Sequence, residues 1–384
     1  LFNFHLNAAP LGLYIHFPWC VRKCPYCDFN SHESQGSFPE RDYVAALIRD
    51  LQQELALVEG RMIHSIFMGG GTPSLFSPEA IAQLLVFIQS TGQCAPVMEI
   101  TLEANPGTVE LGRFSGFYQA GVNRLSLGVQ SFHDKQLKLL GRIHHGDDAR
   151  RAIEAAQQAG FENINLDIMH GLPAQTVKEA LADIQTALQW GVPHFSWYQL
   201  TIEPNTYFHR FPPALPSEAL LGDIQTQGQA LIESKGLVQY EVSAYSRPRR
   251  QCQHNVNYWL FGDYLGIGAG AHGKITTKTG VTRYLKPRQP KAYLQKQSQA
   301  HYRAQTQTVS AEALPFEFML NALRLKKPVT ASLFEARTSL PFSVLDKPLL
   351  MAEQKGLITR CEDSINVTSL GYRFLNDLVA LFMV

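Results

Sequence analysis

From Leu13 to about Thr201 short runs rich in β-branched and aromatic residues alternate with longer runs of helical periodicity, a pattern that calls for parallel strands joined by crossover helices. The strand candidates are LYIHF, SIFMG, EITLEA, RLSLGV, INLDIM and SWYQL. Between them, Asp42 to Glu59, Pro78 to Ser90, Val109 to Gln119, Gly146 to Ala159 and Val177 to Gln189 read as helices, each long enough to bring the chain back for the next parallel strand. Six such units predict an α/β fold built on a partial (β/α)6 barrel over 13–205, after an N-terminal segment 1–12. In such barrels the loops after the strand C-termini build the site. Here those ends carry Cys20, Cys24 and Cys27, then Gly69-Gly70-Gly71-Thr72-Pro73, Glu103-Ala-Asn-Pro, Gln130, and Asp167 ahead of His170-Gly-Leu-Pro.

The remaining length exceeds what the barrel needs. Tyr240 to about Lys274, with YEVSAYS and YLGIGAGAHG, predicts an added sheet extension within 206–300, and the Gln-rich stretch from Gln289 to Gln307 predicts a linker. From Leu314 onward the pattern predicts a small C-terminal winged-helix-like α+β domain over 301–384.

Composition narrows the function classes. Hydrophobic residues reach 45% and charged ones only 17%, below the roughly 25% of ordinary soluble domains, so a large core is expected and disorder is not. Net charge is +1 with no basic stripe, which argues against nucleic acid as a partner. No apolar run approaches the roughly 20 residues of a transmembrane helix, and LFNFHLNAAPLG lacks a signal-peptide pattern, so a cytoplasmic protein is expected. The apolar C-terminal NDLVALFMV allows at most peripheral contact with a membrane.

Of six cysteines, three crowd into Cys20-Val-Arg-Lys-Cys24-Pro-Tyr-Cys27, which points to metal or redox chemistry in a reducing compartment rather than a disulfide scaffold. Three thiolates from one loop suit a cubane cluster with one iron left open. The competing reading is a structural zinc site that recruits His16 or His32 as its fourth ligand. In the glycine run, residues without a Cβ let backbone approach a ligand closely.

The triad, with Tyr26 before its last cysteine and Tyr14-Ile-His-Phe-Pro ahead of it, resembles the radical-SAM signature. Through GVQSF, MHGLP and GIGAGAHG to the C-terminal module, nearly the whole chain resembles the oxygen-independent coproporphyrinogen III oxidase group. The resemblance implies a [4Fe-4S] cluster on Cys20, Cys24 and Cys27, with S-adenosylmethionine on the open iron. It also implies cofactor contacts from Tyr14, Tyr26, Gly70, Gly71, Thr72, Glu103, Gln130, Arg142, Asp167 and Thr201. Arg142 is suited to pair with a carboxylate, and Asp167 or Glu103 to accept from hydroxyls or face a cation.

Two departures separate the chain from the oxidase itself. Asp28-Phe29 stands where the oxidase continues to a further cysteine, and only nineteen residues precede Cys20 where the oxidase carries a long arm. The continuation CPYCDFNSH, the segment Gly141-Arg142-Ile143-His144 and the motif His254-Asn255-Val256-Asn257-Tyr258-Trp259 resemble instead the haem-chaperone branch of the group. That branch implies haem as bound cargo, passed to haem-accepting proteins such as membrane respiratory enzymes. Oxidative decarboxylation of coproporphyrinogen III is the alternative. His254 is suited to ligate haem iron beside Tyr258 and Trp259, but it is equally a packed loop histidine, and Cys252 is a rival ligand. His16, His170 and His272 are expected to shape the pocket or pack.

Overall fold

The computed structural model describes residues 9–34, 36–58, 60–108, 111–296 and 301–383. Twelve strands form one open sheet: β1 (Leu11–Phe17), β2 (Ile63–Gly70), β3 (Cys94–Ala104), β4 (Arg124–Gln130), β5 (Ile164–His170), β6 (His194–Gln199), β7 (Val238–Glu241), β8 (Ala244–Ser246), β9 (Asp263–Ile267), β10 (His272–Thr277), β11 (Gly280–Leu285) and β12 (Gln305–Thr308). Their spatial order is β12-β11-β10-β9-β1-β2-β3-β4-β5-β6-β8-β7. From β9 through β6 every pairing is parallel, and beyond them on both sides every pairing is antiparallel. The six parallel strands of the sequence pattern therefore form the partial barrel, and β9 joins as a seventh.

Burial on both faces explains why these strands read as near-continuous apolar runs rather than alternating ones. In β1, Leu11, Leu13, Ile15 and Phe17 are all buried, and β4 is buried along its whole length. Each such side chain contributes about 2 kcal/mol by leaving water. The helices between strands start at chemical caps. Ser77 Oγ accepts from Ala80 N ahead of Pro78, which has no N–H to lose at the first helical position. Thr176 and Glu179 form a reciprocal capping box for Val177–Gln189.

Three expectations are corrected. The first helix spans Glu40–Leu55 and ends short of Glu59, which lies outside the described residues, as does Val109 at the expected start of the third helix, described over Leu111–Gln119. The region Tyr240–Lys274 does not extend one edge. Val238–Ser246 adds a hairpin beyond β6, whereas β9 crosses back to pair with β1, so the two halves lie on opposite sides of the parallel strands. The stretch Gln289–Gln307 is not simply a linker: Pro290–Leu294 is helical and Gln305–Thr308 is the edge strand beside β11. Tyr293 and Tyr302 from this stretch are fully buried in the main core.

Beyond β12, helices Leu314–Ala322, Ala331–Thr338 and Asp346–Gln354 pack with a three-stranded sheet of Val329–Thr330, Ser364–Val367 and Ile358–Cys361. Phe318, Phe334, Leu349 and Ile365 form its own core, which Phe261, just ahead of β9, and Val281 of β11 join. Among the described residues no helix is long and apolar enough to cross a membrane.

Candidate cofactor site

Because β1 to β6 are parallel, their C-terminal ends share one rim, and a cavity of about 630 Å³ opens there, within the size range of small-molecule sites. Cys20, Cys24 and Cys27 line it, partly exposed, with Tyr26, Gly70, Gly71, Thr72, Glu103, Gln130, Arg142, Asp167 and Thr201. Residues from six separate strand ends thus meet in one place. Tyr14 and His254 do not line this cavity but an adjoining one.

Each thiol has a polar side chain beside it. Thr72 Oγ1 donates to Cys20 Sγ at 3.4 Å, Arg142 Nη1 donates to Cys24 Sγ at 3.5 Å, and Ser31 Oγ lies 3.8 Å from Cys27 Sγ. Asn105 joins the first two: its Nδ2 donates to Thr72 Oγ1 (3.0 Å) and its Oδ1 accepts from Arg142 Nη2 (2.6 Å). Such outer hydrogen bonds orient sulfur ligands and stabilise the charge a metal-bound thiolate carries. Burial holds the Cys20 and Cys27 thiols above their ordinary value in the metal-free chain. The donor set therefore fits an iron–sulfur cluster. A zinc ion does not gain its fourth ligand from either candidate histidine, since neither His16 nor His32 lines the cysteine cavity. His16 is bonded through both ring nitrogens, Nδ1 to the Tyr14 hydroxyl (3.0 Å) and Nε2 to the Asn30 carbonyl (2.8 Å). Among the described residues no group of three or more His, Cys, Asp or Glu side chains is disposed to hold a single metal ion.

Two carboxyls sit deeper. Glu103 Oε2 accepts from Gly70 N at 3.2 Å, and burial, with Asp167 nearby, pushes its pKa up to about 8. Asp167 accepts from Ser126 Oγ (2.8 Å) and Asn165 Nδ2 (2.9 Å), bonds that offset part of the upward push of burial. Gln130 is held at a backbone φ of 68°, with its side chain accepting from Tyr198 at 2.8 Å.

The glycine run has a firmer role than ligand approach. A Cβ at Gly71 would stand 2.6 Å from the Trp19 carbonyl and 2.7 Å from that of Phe17, so the close approach is to the cysteine loop's own backbone. Gly70 has a φ of +107°, and its Cβ would overlap the His16 ring. Gly71→Ala is therefore expected to cost about 2 kcal/mol, because the atoms in the way are backbone and cannot turn aside. Thermal melts of the metal-free variant beside wild type check this; equal midpoints would refute it.

The adjoining cavity, about 490 Å³, shares Asp28, Phe29, Gly70, Glu103, Asn255 and Tyr258 with the first. His254, Tyr14, Phe67, Tyr264, His16 and His272 complete much of its wall. His254 comes from the helix Gln253–Trp259, whose start is held by Glu99 Oε1 accepting from Gln253 N at 2.9 Å. Its Nδ1 bonds Ser65 Oγ at 3.1 Å, and burial, helped by Arg124, pushes its pKa down to about 3. Cys252 is fully buried, with its thiol directed to Glu99 and pushed up to about 12 by burial, which removes it as a rival ligand. His170 lies against Trp197, ring centres 4.2 Å apart and tilted by 35°, and packs.

Sequence reasoning missed Asn105, Ser126, Asn165, Tyr198 and Phe67. Asn105 had a signal, since it directly follows the third strand in the rim segment Glu103-Ala-Asn-Pro. Ser126 and Asn165 read only as strand residues until adjacent strands place them beside Asp167.

The radical SAM superfamily model matches residues 14–187, and the HemN C-terminal domain model matches 309–374. The chain is 49% identical to the heme chaperone HemW of Haemophilus influenzae over 98% of its own length and 99% of that protein's. Identity to the Escherichia coli heme chaperone HemW is 49% with the same coverage, and to that of Bacillus subtilis 33% over 96% of this chain and 98% of that one. The fold is similar to the radical SAM enzyme coproporphyrinogen III oxidase (HemN) of Escherichia coli, with a TM-score of 0.84 and 22% identity over 98% of this chain and 92% of that one. With the triad loop and barrel in place and end-to-end matches of this strength, the chain belongs to the HemW family of the radical SAM superfamily.

Proposed function

We propose that this protein binds haem in the aromatic cavity against His254 and passes it to acceptor haem proteins, with a [4Fe-4S] cluster on Cys20, Cys24 and Cys27 and S-adenosylmethionine in the adjoining cavity. The observation that carries the reading is the shared wall: a three-thiol cavity and a histidine- and aromatic-lined cavity meet at Glu103, Asn255 and Tyr258. The names of the relatives support it, since they are called heme chaperones. When bound, the cluster and S-adenosylmethionine supply an iron open to an external ligand and one-electron chemistry.

The chain's own residues supply the rest. Neutral imidazole is the form that ligates haem iron, and a pKa near 3 keeps His254 neutral at any physiological pH. Ser65 occupies Nδ1 and leaves Nε2 as the ligating nitrogen. Phe67 and Tyr258, with ring centres 5.3 and 6.0 Å from that of His254, offer apolar surface for a porphyrin. Thr72, Arg142 and Asn105 hold the thiol loop, and Glu103 and Asp167 stand where a cationic ligand would meet carboxylates.

Anaerobically reconstituted protein titrated with hemin is expected to develop a Soret band, and His254→Ala to weaken apparent affinity by about tenfold, or 1.4 kcal/mol. The spectrum must change with it, since loss of an axial ligand shifts the band. Unchanged affinity and spectrum in a folded His254→Ala variant would remove His254 from the site. Catalytic formation of protoporphyrinogen from coproporphyrinogen III on the same preparation would replace the chaperone reading with the oxidase one.

A further inference from the structure

A third cavity, about 470 Å³, lies against a different face of the helix that carries His254. Gln253, Val256, Asn257 and Leu260 line it at i, i+3, i+4 and i+7 spacing, whereas His254, Asn255 and Tyr258 face the two cavities described above. Arg337, from the helix Ala331–Thr338 of the C-terminal unit, forms part of its wall, together with the exposed Arg249 and His64.

Its polar atoms are not balanced by the protein. Arg337 is only 9% exposed; Nε donates to the Leu260 carbonyl at 3.2 Å, and Nη1 has no partner. Asn257 Nδ2 donates to the Asp263 carbonyl at 2.8 Å, which fixes the amide's orientation and leaves its buried Oδ1 without a partner. The nearest buried carboxylate, Asp263, is already shared between Arg61 (2.7 Å) and Lys274 (2.9 Å), both almost fully buried. Three buried cations thus surround one buried carboxylate, and Arg337 forms no ion pair among the described residues. A buried guanidinium without a counter-charge is costly, and the cavity beside it is where a counter-charge would enter.

We infer that this third cavity binds a small oxyanion, of the phosphate or carboxylate class, held by Arg337 with Arg249 toward solvent. Bidentate guanidinium donors match both anions, and the surplus of two charges favours a dianion over a monoanion. The site also has a physical link to the haem cavity. Ser65 lines it, and the Ser65 hydroxyl is the partner of His254 Nδ1, so an occupant lies one hydrogen bond from that ring.

The test needs neither haem nor cluster, so its outcome is independent of the proposed function. Full-length protein in a chloride buffer is titrated with inorganic phosphate or with succinate at matched ionic strength, following the thermal midpoint and heat of binding. Saturable stabilisation by at least one of them is expected, and the stronger of the two assigns the class. Arg337→Gln is expected to weaken that binding about tenfold and Arg249→Ala a few-fold. Arg249 is exposed, so its replacement keeps the test alive if Arg337→Gln folds poorly. Absence of saturable binding by both anions, or wild-type titrations in both variants, would overturn the inference.

Discussion

Replacing Cys20, Cys24 or Cys27 singly with Ser is expected to take anaerobically reconstituted protein from about four irons per chain to below one, with acid-labile sulfide and the cluster's visible absorbance lost together. The effect is large because all three thiolates come from one loop and, among the described residues, no fourth protein ligand stands by. Neither His16 nor His32 lines the cysteine cavity, and Cys252 is fully buried with its thiol directed to Glu99. The fold should survive, because the triad is partly exposed and outside the apolar cores, so far-ultraviolet circular dichroism is expected to match wild type. Cys361→Ser, at an exposed position in the C-terminal unit, is the control and should keep its iron. Full iron and sulfide in all three triad variants would mean that the cluster sits elsewhere. Weaker losses should follow from the neighbours: Thr72→Val and Asn105→Ala leave the thiols in place but remove the bonds that connect Cys20 to Cys24.

Much of this architecture is legible in the sequence for a definable reason. The central strands are buried on both faces and the helices begin at Ser, Thr and Pro caps, so strand type and the limits of Pro78–Ser90 and Val177–Gln189 follow from local chemistry. What is not legible comes from long-range pairing. All four residues of Gln305–Thr308 are exposed, and its place beside β11 rests on backbone bonds, so it shows no apolar alternation and reads as linker. Nothing local in Asp263–Ile267 says that it will pair with Leu11–Phe17 from the far end of the chain. The site divides in the same way. The cysteines, glycines, Glu103 and Asp167 stand at strand ends, where parallel topology gathers them on one rim. The second cavity, by contrast, depends on the helix Gln253–Trp259 settling against β1 and β2, which brings His254 to Ser65 and Tyr14.

Glu103 should make the stability of the cofactor-free protein fall with rising pH. Its folded pKa is raised from the ordinary 4.5 to about 8, chiefly by burial and then by the like charge of Asp167. Across that window the unfolded chain has released the proton while the folded chain retains it. Stability attributable to this group is thus highest below the unfolded value, declines through neutral pH and levels off above about 8. The cavity onto which Glu103 opens admits water, so the total decline is expected to be about 2 kcal/mol rather than the larger figure that complete burial would give. Glu103→Gln keeps an acceptor for Gly70 N and has no charge to desolvate. It should match wild type near pH 5 and melt about 3 °C higher near pH 8.5. Reading the difference between the two proteins cancels the other titrating groups, and equal melting points at both pH values would show that Glu103 is ionised in the folded chain. The proposed occupant reverses the balance. A sulfonium or ammonium centre beside Glu103 favours its ionised form, so the variant's advantage at high pH should shrink when S-adenosylmethionine is added to the cluster-loaded protein. If Glu103 is neutral in the cofactor-free chain and a cationic cofactor ionises it, cofactor binding should release a proton at the wall that the two cavities share.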